Sequence, residues 1–141
     1  SLRPVEKLRT TSETVQCETL DSLIPVDLNV SLLKLDIEGA EYEALQGGTR
    51  TVGTNRPAVI CELSEPMQNR FGHSLSDLLA YFTARNYAVY QVNDSNESPG
   101  QPLLSPSDSA HPAIPLLAAA NTNVLFWPTE RSLPNLVDAP P

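Results

Sequence analysis

Apolar residues in this chain are gathered into short blocks that are separated by polar or helix-forming segments. The clearest block covers residues 30–37, which are almost continuously apolar and only as long as a strand. A run of this kind is typical of a strand that is buried on both faces, as in a parallel sheet. Further blocks predict strands at residues 57–63, 87–92 and 123–127, and a shorter block predicts one at residues 15–19.

Helical patterns lie between these blocks. Residues 40–46 have helical composition, and the Gly47-Gly48 pair that follows predicts the end of this helix. Ser74 or Ser76 is suited to cap a second helix that runs to about Arg85, with apolar residues at helical spacing.

The predicted elements follow the order strand, helix, strand, helix, strand, long loop and strand, after a turn or short helical turn at residues 20–24. Strands that alternate with helices predict an α/β fold with a mostly parallel sheet and right-handed crossovers. The last strand follows without a helix before it, so we expect it to return antiparallel at the sheet edge. One domain then spans residues 14–128, with a Pro-rich loop at 93–121, a linker at 1–13 and a tail at 129–141.

Composition limits the classes of partner. The 141 residues fit a single domain, and a net charge of −8 makes nucleic acid a poor partner, because its phosphates select for Lys and Arg. No stretch approaches the roughly 20 apolar residues of a membrane span, so we expect no membrane partner. Cys17 and Cys61 have no metal-type spacing and form no disulfide framework, which favours a reducing, cytoplasmic location.

Acidic residues follow two of the predicted strands. Asp36 and Glu38 end the first, with Glu41 one helical turn beyond, and Glu62 and Glu65 end the second. Ligands of open α/β sheets bind outside the carboxyl ends of the strands, so these acids are candidate functional residues.

Lys34 is unusual because it lies within an otherwise apolar strand. A buried charge is costly unless it is paired, and Asp36 or Glu62 is the expected partner. Gly39 has a purely structural interpretation, in which a side chain would clash in the turn. Asp36 and Glu38 also have one as helix caps, since acids favour helix N-termini, and Glu41 has one as a solvated helix residue.

A different enzymatic interpretation is an oxygen-rich Mg²⁺ site that serves a hydrolase or a transferase. Its ligands would be Asp36, Glu38, Glu62 and Glu65. The sequence contains no glycine-rich phosphate loop, no GxSxG or HExxH motif and no Cys/His cluster of the kind that binds zinc.

The stretch Leu-Leu-Lys-Leu-Asp-Ile-Glu-Gly-Ala-Glu at residues 32–41 resembles the FkbM family of S-adenosylmethionine-dependent methyltransferases. That family carries Lys-hydrophobic-Asp-hydrophobic-Glu-Gly-x-Glu at its fourth strand. Residues 19–23, 45–48, 56–63 and 123–126 resemble further family segments in the same order. The resemblance covers roughly residues 14–128. It implies a Rossmann-like sheet of seven strands, of which this chain supplies strands four to seven.

The resemblance also implies a function, which is methyl transfer from S-adenosylmethionine to an oxygen of a small molecule or sugar. It implies that Asp36 and Gly39 contact the cofactor and that Glu41 and Glu65 contact the substrate. The candidate catalytic residues are Lys34, Asp36, Glu38 and Glu62.

The first strand, its glycine-rich turn and the acid that ends the second strand hold most of the cofactor in such domains, and none of them precedes residue 14. Because the sequence has no initiating Met, we expect that the chain was cut from a longer protein or is a natural truncation, and that it is inactive alone. A non-catalytic remnant or interaction module is the alternative. The strand at residues 30–37 would also lack a neighbour, and an exposed apolar edge favours pairing with another chain, self-association included.

Overall fold

The computed structural model describes residues 13–92, 104–106 and 122–133. Five helices and five strands lie within these ranges. The helices are α1 (Leu20–Leu23), α2 (Glu41–Gln46), α3 (Thr49–Asn55), α4 (Glu65–Arg70) and α5 (Leu75–Thr83). The strands are β1 (Leu32–Leu35), β2 (Ala58–Leu63), β3 (Tyr87–Val92), β4 (Leu104–Pro106) and β5 (Thr122–Pro128).

The strands form one mixed sheet in the order β1-β2-β5-β3-β4. β1 and β2 pair in parallel, β5 pairs antiparallel with both β2 and β3, and β4 pairs antiparallel with β3. The α/β prediction is confirmed, but the prediction of a mostly parallel sheet is wrong, because only one of these pairings is parallel. β5 runs antiparallel as expected, yet it lies inside the sheet rather than at its edge, so its backbone has partners on both sides.

One face of the sheet carries the core. Val59, Cys61 and Leu63 alternate along β2 and are fully buried, as the two-residue period of a strand requires for a packed face. Phe126 lies opposite Val59 on β5, and its ring stacks on that of Phe82 from α5 with centroids 3.7 Å apart. The helices therefore cover this face with apolar side chains.

β1 differs from its prediction. The sequence predicts a strand over residues 30–37 that is buried on both faces, whereas β1 is shorter and only Leu35 is buried. Leu32 is 55% exposed. The reason is position, since β1 is the end strand of the described sheet and pairs on one side alone. Among the described residues, Val26, Leu28 and Ile37 are further exposed apolar side chains near this strand in the sequence.

Several local predictions are confirmed. Ser74 caps α5 in a capping box with Asp77, in which each side chain bonds the backbone N–H of the other. The predicted helix end at about Arg85 is close to the observed end of α5 at Thr83, and Asn86, with a φ of 56°, leads the chain into β3. α1 is the short helical turn expected at residues 20–24.

Other elements were not predicted or were predicted wrongly. Residues 15–19 form no strand, and Val15 is exposed. The Gly47-Gly48 pair does end α2, but α3 follows at once, and neither α3 nor α4 was predicted. β4 lies within the predicted 93–121 loop, whose remaining residues are outside the described ranges, as are most of the predicted linker and tail.

Asp21 explains why α3 begins where it does. The N-cap of α3 is Gly48, which has no side chain to offer. The Asp21 carboxylate replaces it and accepts hydrogen bonds from the backbone N–H of Arg50 at 2.7 Å and of Thr51 at 2.9 Å. Its own backbone N–H donates to the Gly47 carbonyl at 2.9 Å. Residues 19–21 thus contact the Gly47-Gly48 segment, and this contact fixes the start of α3.

Candidate functional site

Lys34, Asp36 and Glu62 lie together at the carboxyl ends of β1 and β2. The two strands are parallel, and Leu35 pairs with Cys61. The next residue after Leu35 is Asp36 and the next after Cys61 is Glu62, so these two acids lie side by side. Lys34 Nζ donates to Asp36 Oδ2 at 2.7 Å. The expected pairing of Lys34 with a carboxylate is confirmed, but the lysine is not buried, since 60% of its side chain is exposed.

The two carboxylates titrate differently. The hydrogen bond and the positive charge of Lys34 hold the pKa of Asp36 below its ordinary value, and the same contact raises the pKa of Lys34. Partial removal from water, followed by the negative charges of Asp36 and Glu38, raises the pKa of Glu62. Neighbouring carboxyl groups whose pKa values are pushed apart are suited to separate acid–base roles.

Glu38 and Gly39 form a tight turn between β1 and α2. Their φ angles are 57° and 106°, in the region that L-residues rarely adopt. A Cβ added to Gly39 would overlap the backbone carbonyl of Met67 on α4. Glycine is therefore required both by the backbone angle and by the approach of α4. Contact of Gly39 with a cofactor stays a prediction.

Glu41 is not a solvated helix residue, because only 1% of it is exposed. One carboxylate oxygen accepts a hydrogen bond from the Ile37 backbone N–H at 3.0 Å. The other accepts a short hydrogen bond from the Gln68 amide on α4. Both oxygens are thus engaged beneath the turn, which gives Glu41 a structural role, and its contact with a substrate stays a prediction.

Glu65 begins α4, and one of its oxygens accepts the Leu75 backbone N–H at 2.9 Å. It therefore joins α4 to the first residue of α5, and its contact with a substrate stays a prediction. Within the part of the chain that the structure describes, no three His, Cys, Asp or Glu side chains form a group that could hold a metal ion. The four acids of the Mg²⁺ interpretation do not form such a group.

Sequence reasoning missed Gln68 and Met67. Pro66 at the start of α4 was the available signal, because proline is favoured in the first helical turn. Nothing in the sequence marked Gln68 as buried, since glutamine is mostly exposed in proteins. Arg56 has no sequence signal of its contacts either, and its guanidinium donates to the Arg85 carbonyl at 2.6 Å and lies over the Tyr87 ring.

A family comparison identifies the chain. Residues 3–89 match the model of the methyltransferase FkbM domain. The chain belongs to the FkbM methyltransferase family. The matched range holds the Lys34–Asp36 pair, Glu62 and the Glu38-Gly39 turn, and it ends within β3.

The resemblance seen in the sequence is thereby confirmed for this FkbM domain up to residue 89, and the likeness of residues 123–126 to the closing strand stays a prediction. Searches of curated proteins and of solved structures found no match. In the described residues no helix is both long and apolar enough to cross a bilayer.

Proposed function

We propose that this FkbM domain transfers the methyl group of S-adenosylmethionine to an oxygen atom of a small molecule or sugar. The observation that carries the proposal is the side-by-side position of Asp36 and Glu62 at the carboxyl ends of two parallel strands. Sites in open α/β sheets lie at such ends. We further propose that β1, β2, β5 and β3 correspond to strands four, five, seven and six of a Rossmann-like methyltransferase sheet, which their spatial order supports.

The charges of this group fit a cationic cofactor. When bound, S-adenosylmethionine supplies a methyl group on a positively charged sulfonium. Asp36 is ionised at neutral pH, and Lys34 holds its pKa still further below an ordinary value that is already acidic, while Glu38 adds a second carboxylate to the same turn. Opposite charges at short range attract, so these residues favour the cofactor at this end of the sheet. We assign Gly39 a cofactor contact through its backbone.

Glu62 is the residue suited to take a proton. Its raised pKa brings it closer to neutral pH than Asp36, and an effective general base has a pKa near the working pH. In the proposed reaction a Glu62 carboxylate oxygen would accept the proton of the acceptor hydroxyl. Bound S-adenosylmethionine would supply the methyl group to the hydroxyl oxygen and would keep the electron pair of its S–CH3 bond on the departing sulfur. Lys34 orients Asp36 through the 2.7 Å hydrogen bond, and Glu65 contacts the acceptor with its second oxygen.

The cofactor fits only in part. Among the described residues no strand is followed by a glycine-rich turn of the kind that would hold the methionine portion of the cofactor. We therefore propose that the 141-residue chain alone binds S-adenosylmethionine weakly and is inactive.

Two free cysteines support a cytoplasmic location for the protein.

The test measures transfer of a labelled methyl group by the longest natural protein that contains these residues, and the 141-residue chain alone is measured in parallel. Glu62→Gln should lower kcat by about 10²–10⁴-fold, the usual contribution of a general base. The control is Glu43→Gln, an exposed glutamate on α2. The proposal would be refuted if the longest natural protein did not bind the cofactor, or if Glu62→Gln left its activity unchanged.

The edge of β1 supports a second, separate proposal, which is pairing with another strand. Leu32 is 55% exposed on this edge, and unpaired strand edges recruit further strands. Sedimentation of the chain should reveal self-association that Leu32→Lys weakens. The control substitution is Val15→Lys, an exposed apolar residue outside any strand. A chain that is monomeric at all concentrations contradicts self-association.

A further inference from the structure

The turn that delivers Asp36 and Glu38 is held from below by a buried carboxylate. Glu38 has a φ of 57°, which a residue with a side chain adopts only when its surroundings enforce it. Glu41 supplies one restraint, because its carboxylate accepts the Ile37 backbone N–H at 3.0 Å. Ile37 lies between the two acids, so this bond fixes the segment that carries both.

Glu41 depends in turn on Gln68. The Gln68 amide nitrogen donates to the second oxygen of Glu41, and both residues are buried. The amide oxygen of Gln68 is buried too and has no hydrogen-bond partner. An unpaired buried oxygen is unfavourable. The cost is accepted at a position where an apolar side chain would leave the Glu41 carboxylate without its donor.

The position of Gln68 joins the two strand ends. α4 begins at Glu65, three residues after Glu62, so it is directly connected to the end of β2. Met67, on the same helix as Gln68, lies against Gly39 in the β1 turn. The Met67 carbonyl leaves no space for a side chain at position 39. α4 therefore contacts the β1 turn through its backbone and through the Gln68 amide.

We propose that Gln68 is a positioning residue, which holds Glu41 and thereby sets the Asp36–Glu38 turn against Glu62. It does not itself touch cofactor or acceptor. The proposal rests on the proposed function only in that Asp36 and Glu62 are the acting carboxylates. Its physical content is a fixed spacing between the ends of β1 and β2.

The experiment uses the isotopically labelled 141-residue chain and needs no cofactor. Gln68→Met keeps the length of the side chain and removes the donor. Hydrogen exchange of the Ile37 amide should accelerate at least about tenfold relative to core amides of β2, the size expected for losing one hydrogen bond to a charged group. The carboxyl titration of Glu62, followed by NMR, should move toward its ordinary midpoint because the neighbouring acids are no longer held close.

The matched control is Gln46→Met on the exposed side of α2, which should change neither measurement. Uniform acceleration of all amides in Gln68→Met, with the Glu62 titration unchanged, would show a general loss of stability and overturn the proposal. Wild-type values for both measurements would overturn it as well.

A paired exchange keeps the proposal testable if Gln68→Met does not fold. In the double variant Glu41→Gln and Gln68→Glu, the new amide accepts the Ile37 N–H and donates to the new carboxylate, so both hydrogen bonds return and only the bond between residues 41 and 68 is reversed in direction. We expect it to restore slow Ile37 exchange, whereas Gln68→Glu alone opposes two carboxylates. Failure of the double variant to restore Ile37 protection would contradict the proposal. Because no readout involves methyl transfer, these outcomes are independent of whether the proposed function holds.

Discussion

Replacement of Gly39 by alanine tests whether the Glu-Gly turn is fixed by packing. The backbone of Gly39 has a φ of 106°, and an added Cβ would overlap the Met67 carbonyl. The overlapping atom belongs to the backbone of α4 and cannot move aside as a flexible side chain would. Gly39→Ala must therefore shift either the turn or the helix.

The expected loss combines two costs. An alanine held in this backbone region costs about 1–3 kcal/mol, and accommodating a methyl group in a filled space costs about 1–3 kcal/mol more. The reduced freedom of the unfolded chain returns about 0.4–1 kcal/mol. The free energy of unfolding should thus fall by roughly 1–5.5 kcal/mol, a substantial share of the 5–15 kcal/mol typical of a domain.

Urea unfolding of the chain measures this loss. Gly53→Ala is the matched control, because Gly53 lies in α3 and a Cβ there would meet nothing within 4 Å. That variant should gain about 0.5–1 kcal/mol from helix propensity. A Gly39→Ala variant within about 0.5 kcal/mol of the original chain, the range of a neutral surface substitution, would refute the reasoning.

Three further predictions follow from single residues. Arg56→Lys should lower the free energy of unfolding by about 1–2 kcal/mol, because an ammonium cannot reproduce the forked contacts to the Arg85 and Asn86 carbonyls, whereas Arg70→Lys at an exposed site should be neutral. Burial raises the pKa of Asp21, but hydrogen bonds from Thr51 and Arg50 outweigh this effect, and the pKa is lowered overall. The contribution of Asp21 to folding stability is therefore present above the ordinary pKa of 3.8 and is lost as the pH falls through the folded pKa. Asp21→Asn should accordingly lose less stability than the original chain between neutral pH and acid in parallel unfolding curves, and equal acid sensitivity would contradict the assignment. Asp36→Asn should lower the pKa of Glu62, because a repelling charge disappears and Lys34 is freed, and an unchanged NMR titration would show that the two carboxyls are not coupled.

The sequence by itself determined the features that depend on local order. The strands at residues 57–63 and 87–92 and the Ser74 cap follow from short apolar runs and from capping chemistry within a few positions. The placement of Asp36 and Glu62 at strand ends also follows, because each acid lies near the carboxyl end of a mostly apolar run. The Lys-to-Glu segment was enough to indicate the family.

Only the tertiary structure decided how distant segments meet. The insertion of β5 between β2 and β3 depends on hydrogen bonds to strands far away in the sequence. Glu41 has the sequence context of a surface helix residue, but α4 covers it and Gln68 supplies its partner. Lys34 has the context of a buried charge, but the open edge of β1 leaves it exposed. Burial is set by what packs against a residue, and a local pattern carries no information about a neighbour that arrives from elsewhere in the chain.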